Sequence, residues 1–136
     1  MSYVPSPLMS DEVGRGHHVL LDYVGYSSPV PEDGEWMLAV LREAVEASGI
    51  REVHSHVVNF DGSESPPGFA SVVLIDESHV TAHCYSDSGL LAIDVFTCGE
   101  NSPLAVAEHI QDALEAEIVG IELIRREVVP RFISGD

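Results

Sequence analysis

The chain has 136 residues and contains no lysine, because all 6 of its basic residues are arginine. Without lysine, the chain cannot hold pyridoxal phosphate as an internal Schiff base or supply the lysine of a phosphate-binding loop. The 23 acidic residues give a formal net charge of −17. This charge repels nucleic acids and anionic membranes, so we expect neither as a partner.

Cysteine and long apolar runs are also scarce. The 2 cysteines are Cys84 and Cys98, and no basic segment followed by an apolar run marks an export signal. We therefore expect reduced thiols and a cytoplasmic location. We also expect no membrane span, since no apolar stretch approaches about 18 residues. Hydrophobic residues make up 45% of the chain, enough for one core. We expect a single domain over residues 16–136 after a flexible arm, residues 1–15.

Histidine occurs in three close pairs: His17 and His18, His54 and His56, and His79 and His83. Of these, His54 and His56 would share one face of a strand about 7 Å apart. No Cys-x-x-Cys or His-Glu-x-x-His pattern supports a metal site, and no glycine-rich loop follows a strand as a nucleotide site requires. We therefore predict no metal ion.

Hydrophobic periodicity predicts six strands and two helices. The predicted strands are 17–26, 51–60, 69–76, 79–86, 90–98 and 118–129. The first helix, 35–48, has Met37, Val40, Leu41 and Ala44 on its buried face. The second begins with Ser102 as N-cap and Pro103 in its first turn, and its buried stripe is Leu104, Ala107, Ile110 and Leu114. This order predicts an α+β two-layer sandwich with both helices on one face of a mostly antiparallel sheet.

One grouping has the residue types of a nucleophile, a base and an acid. Ser78 stands between two predicted strands, His83 follows five residues later, and Cys98 ends the next strand. An odd separation puts Ser78 and His83 on opposite faces of an unbroken strand, so their meeting requires a turn or kink at Ser78. Spacing alone leaves structural roles for these residues open.

Three stretches, GHHVLLDY, LIDESHVTAH and AIDVFTCGE, resemble the S-adenosylmethionine decarboxylase family in its short prokaryotic form. The resemblance extends from about Gly14 to Glu127 and keeps the spacings between Ser78, His83 and Cys98. It implies a chain that cleaves itself between Glu77 and Ser78.

The resemblance also implies a role for each of these residues. Ser78 becomes a pyruvoyl group that forms the Schiff base with the substrate, His83 is the base for processing, and Cys98 is the proton donor in decarboxylation. The cofactor would be this pyruvoyl group, with no pyridoxal phosphate and no metal, which suits a chain without lysine. The partners implied are a small amino-acid substrate and further copies of the chain, in a homo-oligomer of processed two-chain units.

The substrate segments depart from the family pattern. Where the family usually has Thr-Trp-Pro-Glu after the second histidine, this chain has Cys84 to Asp87, so the acid is one methylene shorter. The place of the processing serine falls on Ala70. The residues predicted to bind substrate are Asp87, Phe60, Phe69, Ser71 and Tyr85. S-adenosylmethionine is the default substrate, arginine or ornithine is the alternative, and a non-catalytic regulatory relative is a third hypothesis.

Overall fold

The computed structural model describes residues 14–133 as one six-stranded sheet and two helices. In chain order the elements are β1 (Gly14–Val24), α1 (Asp33–Ala47), β2 (Glu52–Phe60), β3 (Gly68–Ile75), β4 (Ser78–Tyr85), β5 (Leu90–Cys98), α2 (Pro103–Glu117) and β6 (Glu122–Ile133). The strand order in the sheet is β2-β3-β4-β5-β1-β6, and every pairing is antiparallel. The predicted α+β class is confirmed.

The first strand begins earlier than the sequence predicted. Gly14 and Arg15, which were assigned to the N-terminal arm, belong to β1, and the Arg15 carbonyl accepts a hydrogen bond from Gly99 N–H at 2.9 Å. The backbone pairing at this end of the sheet therefore extends β1. The rest of the predicted arm lies outside the described residues.

Both helices cover the same face of the sheet, and the core lies between the two layers. Alternate residues of the central strands point into it, as the two-residue period requires. The strand residues that are 1% exposed or less include Val19, Leu21, Val73, Val80, Ala82, Ile93 and Val95. The helices meet them with the predicted face of α1 and with Ala107, Ile110 and Leu114 of α2.

One residue of the predicted α2 stripe is misplaced. Leu104 is 42% exposed, whereas Val106 is fully buried. The buried arc passes through Pro103, Val106 and Ala107. Leu104 lies about 100° around the helix from Pro103 and so falls outside this arc.

The opposite face of the sheet, here called the open face, is covered by neither helix. At its centre His18 Nε2 lies 3.2 Å from Asp94 Oδ1, and Thr81 Oγ1 donates to Asp94 Oδ2 at 3.3 Å. The ring of Phe96 stacks on His18 with centroids 5.5 Å apart, and the Arg131 guanidinium lies 5.5 Å from the centroid of Phe96.

Neither helix within residues 14–133 has the length and apolar character to cross a membrane.

Candidate active site

A tight turn joins β3 to β4 directly before Ser78. Ile75 pairs with Ser78 across the ladder, so Asp76 and Glu77 form the turn. Glu77 has a φ of 65°, in the left-handed region that costs a non-glycine residue about 1 kcal/mol or more. The peptide bond that follows this strained residue is the predicted cleavage site.

Arg51, the residue directly before β2, anchors this turn. Arg51 Nε donates to both carboxylate oxygens of Asp76, at 3.1 and 3.0 Å, and this guanidinium holds the pKa of the Asp76 carboxyl below its ordinary value. Asp76 N–H also donates to the Arg51 carbonyl at 3.3 Å. Sequence reasoning missed this pair because its members are 25 positions apart and no local pattern links them.

Three groups that the sequence predicts to react meet at the end of this turn. The Ser78 hydroxyl donates to Cys98 Sγ at 3.1 Å, and the Cys98 thiol lies 3.7 Å from the carbonyl oxygen of Glu77. Ser78 is only 9% exposed. The structure thus brings together Glu77, Ser78 and Cys98, with a nucleophile and a thiol donor both beside one peptide carbonyl.

The position of Cys98 depends on how β5 ends. Cys98 pairs with Gly16 of β1, and the chain then turns at Gly99, whose φ is 67°. Just before it, Thr97 Oγ1 donates to the carbonyl of Asn101 at 2.9 Å, which holds the following segment against the strand end. Backbone pairing on one side and this local bond on the other keep the thiol at the turn.

The second cysteine is a core residue. Cys84 is buried, and this burial raises the pKa of its thiol to about 11. Neither Cys84 nor Cys98 forms a disulfide in this structure. Cys98, which is more accessible, is therefore the thiol suited to chemistry.

His83 does not join Ser78 within one copy of the chain. Both residues belong to the regular strand β4, where five residues span about 16 Å and an odd separation points side chains to opposite faces. His83 is exposed and pairs with Ala70 on one side and Ala92 on the other. The turn at Asp76–Glu77 comes before Ser78 and so does not change this relation.

Two exposed residues of the predicted substrate set, Phe60 and Tyr85, lie around His83 instead. A cavity of about 390 Å³ is lined by Phe60, Phe69, Ala70, His83 and Tyr85, together with Ser65, Pro66 and Cys84. A second cavity of about 310 Å³, which His83 and Tyr85 also line, reaches Leu90 and Ala92 of β5. Phe60 is 38% exposed and Tyr85 54% exposed. This end of β4 offers room for a ligand.

Two predicted substrate residues point the other way, into the core. Phe69 is 2% exposed and its ring packs against Tyr26 with centroids 6.1 Å apart, while Ser71, 1% exposed, donates to the Gly34 carbonyl at 3.2 Å. Both share the helix-facing side of β3 with Val73, so their main contacts are with the core. Asp87 lies exposed in the turn between β4 and β5.

Metal ligation finds no support in the described part of the chain. Within residues 14–133 no group of three or more histidine, cysteine, aspartate or glutamate side chains is placed to hold a metal ion. The fold and the grouping at Ser78 describe an α+β protein in which a serine hydroxyl contacts a thiol that lies beside the preceding peptide carbonyl.

Comparison with known proteins agrees with this class. The family model for S-adenosylmethionine decarboxylase matches residues 17–127. An S-adenosylmethionine decarboxylase proenzyme of Caldanaerobacter subterraneus subsp. tengcongensis is 34% identical over 122 residues, 88% of this chain and 94% of that protein. A proenzyme of the same name from Bacillus velezensis is 35% identical over 104 residues, 75% of this chain and 78% of that protein.

A solved structure extends the agreement to the fold. The crystal structure of the adenosylmethionine decarboxylase from Aquifex aeolicus VF5 superposes with a TM-score of 0.72 at 26% identity, covering 90% of this chain and 95% of that one. The chain belongs to the S-adenosylmethionine decarboxylase family, and the resemblance seen in its sequence is confirmed.

Proposed function

We propose that this protein is a self-processing, pyruvoyl-dependent decarboxylase of polyamine biosynthesis, with S-adenosylmethionine as its substrate. The observation that carries the proposal is the contact of Ser78 Oγ with Cys98 Sγ beside the Glu77 carbonyl. A non-catalytic relative would have no need to keep a hydroxyl, a thiol and a strained carbonyl together. A cytoplasmic location stays a prediction, which cell fractionation tests.

Self-cleavage would begin at the turn. The Ser78 oxygen attacks the Glu77 carbonyl carbon, and the C–N bond breaks as the new C–O bond forms. The hydroxyl proton passes to the departing nitrogen, which leaves an ester and a free amine on residue 78. The Cys98 thiol, 3.7 Å from the Glu77 oxygen, can donate to that oxygen as it gains negative charge. Loss of the peptide bond also releases the left-handed strain at Glu77.

The second stage would open the ester. A base removes the proton from the α-carbon of residue 78, the electron pair forms a Cα=Cβ bond, and Glu77 leaves as a carboxylate. The unsaturated N-terminus then takes up water and loses ammonia, which produces the pyruvoyl carbonyl. By family resemblance the base is His83, yet about 16 Å of strand separates it from Ser78 in the same copy.

We therefore propose that the working unit contains two copies, each contributing one half of every site. Ser78 and Cys98 lie at one end of β4, whereas His83, Phe60 and Tyr85 lie at the other. Cys98 lies on the open face with Asp94 and Phe96, and the Ser78 hydroxyl contacts it at the end of β4. A second copy laid antiparallel across that face would therefore bring its His83 to the contact between Ser78 and Cys98. The apolar side chains exposed on that face suit such a cover: Val58, Leu74, Leu90 and Val129.

The residues around Ser78 fit a pyruvoyl group. Ser78 is mostly buried and touches Cys98, so a carbonyl formed there would be shielded from bulk water. When present, the group supplies a carbonyl that binds the substrate amine and accepts electrons as carbon dioxide leaves. Cys98, whose sulfur lies 3.1 Å from Ser78 Oγ, would be the residue that returns a proton after decarboxylation, and the chain has no lysine to hold pyridoxal phosphate instead.

Of the two phenylalanines predicted to bind substrate, Phe60 is the one exposed for stacking on an adenine ring, since Phe69 is buried. One observation favours arginine or ornithine as a second candidate substrate. A cavity of about 350 Å³ beside Phe60 is bordered by Glu32, Asp33 and Glu35, and carboxylates suit a guanidinium or ammonium.

The denatured mass of the freshly purified protein is the deciding measurement. Two pieces, residues 1–77 and a pyruvoyl-blocked 78–136, are expected, and a Ser78→Ala chain should stay whole. Release of carbon dioxide from carboxyl-labelled S-adenosylmethionine, arginine and ornithine then identifies the substrate. An uncut chain that releases no carbon dioxide would reject the proposal in favour of the non-catalytic relative.

A further inference from the structure

Gly16 of β1 has no room for a side chain beside Cys98. The residue is buried and pairs directly with Cys98. A methyl group built on it would lie 3.1 Å from Cys98 Sγ, 3.1 Å from the Thr97 carbonyl oxygen and 2.8 Å from Phe96 Cε1. Gly16 is not one of the positive-φ residues of the chain, so its backbone would accept other residues. Space, rather than backbone conformation, accounts for glycine here.

The contact with sulfur is the one that concerns the chemistry. Ordinary contacts between nonbonded heavy atoms lie at about 3.5–4.0 Å, so a methyl group at 3.1 Å would push the thiol away. The same thiol is 3.1 Å from Ser78 Oγ and 3.7 Å from the Glu77 oxygen. Moving the Cys98 sulfur by a few tenths of an ångström would alter both of these distances appreciably. The Thr97 carbonyl is backbone and limits how far the methyl could shift in return.

We propose that Gly16 is a positioning residue, which lets the Cys98 thiol lie against Ser78 and the scissile carbonyl. The inference rests on the proposed function for its catalytic consequence, although the geometry it describes does not. Gly16 touches none of the reacting atoms of a substrate. Its effect passes through Cys98, so it should alter self-cleavage and turnover more than substrate affinity, whose candidate contacts lie at the far end of β4.

Kinetics of Gly16→Ala test the catalytic consequence. We expect self-cleavage and kcat each to fall about tenfold, because small displacements of reacting groups are costly, while KM stays within about twofold. His17→Ala is the matched control, since it alters the next residue of β1, whose side chain points to the other face of the sheet. A Gly16→Ala enzyme with wild-type cleavage and kcat would overturn the proposal, and so would a change confined to KM.

A thermal-stability cycle tests the geometry even in a protein without activity. If the sulfur is what Gly16 accommodates, Gly16→Ala should lower Tm less in a Cys98→Ala background than in the wild-type chain. The same comparison in a Phe96→Leu background distinguishes the effect of the Phe96 ring from that of the Cys98 thiol. An equal loss of Tm with and without Cys98 would overturn the proposal, as would relief by Phe96→Leu alone. Should Gly16→Ala fail to fold, the Gly16→Ala/Cys98→Ala double variant is expected to fold, and its failure would also count against the thiol.

Discussion

The two ends of β4 differ in how far a single copy of the chain buries their side chains and brings them into contact. At the turn end, Ser78 is 9% exposed and its hydroxyl already contacts Cys98. At the other end, Tyr85 is 54% exposed and Phe60 38% exposed, and His83 stands between two alanines with open cavities on either side.

The difference follows from what each end has to do. Attack of Ser78 on the preceding carbonyl requires groups that the local fold brings together before any substrate arrives. Recognition of a substrate requires an accessible surface that closes only when something covers it. One copy of the chain thus brings Ser78, Cys98 and the Glu77 carbonyl together and leaves the His83 end of β4 exposed.

Mixing two inactive variants is the most decisive way to break this comparison. Ser78→Ala and His83→Ala chains should each remain uncut when expressed alone. In a mixed dimer, the intact Ser78 of the His83→Ala chain would meet the intact His83 of its partner, so that chain alone should be cut. Denatured masses of differently tagged, co-expressed chains provide the readout. If mixed dimers co-purify and neither chain is cut, the two-copy site is wrong.

Removal of the thiol tests the turn end. Cys98→Ala should decarboxylate about 100-fold more slowly, because the proton donor is lost. Since the thiol also lies 3.7 Å from the Glu77 oxygen, the variant should still cleave itself but more slowly than the wild type. Time-resolved denatured mass and carbon dioxide release measure the two effects. Full activity of Cys98→Ala would remove this residue from the mechanism.

A pair of phenylalanines sharpens the contrast between core and cavity. Phe69→Ala should cost about 3–5 kcal/mol in the free energy of unfolding, because it empties a buried site. Phe60→Ala should leave stability within about 1 kcal/mol and raise KM about tenfold through loss of a stacking surface. Denaturant titration and substrate saturation distinguish them. A stable Phe69→Ala protein with a raised KM would reverse the assignment.

A smaller effect is expected at the exposed acid of the far end. Asp87→Asn should raise KM by about fivefold for any cationic or hydroxyl-bearing substrate, since a charged acceptor becomes a neutral amide. Self-cleavage should proceed at the wild-type rate, because the proposed cleavage steps use Ser78, Cys98 and His83 and not Asp87. Saturation kinetics decide the first point and denatured mass the second. An unchanged KM would count against any role for Asp87.

The smallest expected effect concerns the anchor of the turn. Arg51→Gln should slow self-cleavage about twofold at neutral pH, as expected for an exposed ion pair. The pKa of Asp76 is lowered in the folded protein by Arg51. The ion pair therefore stabilises the turn fully above the ordinary aspartate pKa of about 3.9, and this stabilisation is lost as the pH falls through the lowered value. Rates of the two proteins should therefore converge at acid pH and in high salt. A difference that persists in 1 M salt would point to another cause.

Local patterns in the sequence predicted most of the fold. The α1 face of Met37, Val40, Leu41 and Ala44 is buried as its spacing indicated. Periodicity could not show that β1 pairs with both β5 and β6, because those pairings join distant parts of the chain. Gly16, for example, pairs with Cys98 of β5 on one side and with Arg131 of β6 on the other.

The positions of the predicted site residues depend on distant pairings in the same way. Alternation indicates that Phe69, Ser71 and Val73 share a face of β3, but it does not say which face the helices cover. A motif places His83 five residues after Ser78, yet the straightness of β4 keeps them apart. These relations depend on packing rather than on local pattern.

The amino-acid sequence by itself determined the family, the strands and helices, and the identity of the candidate nucleophile and thiol, because these depend on local order and residue type. The tertiary structure alone decided that Ser78, Cys98 and the Glu77 carbonyl meet, that Gly16 leaves room for the thiol, and that His83 lies at the opposite end of β4. Such contacts arise from antiparallel strands that bring distant residues side by side, and only the folded sheet sets that register.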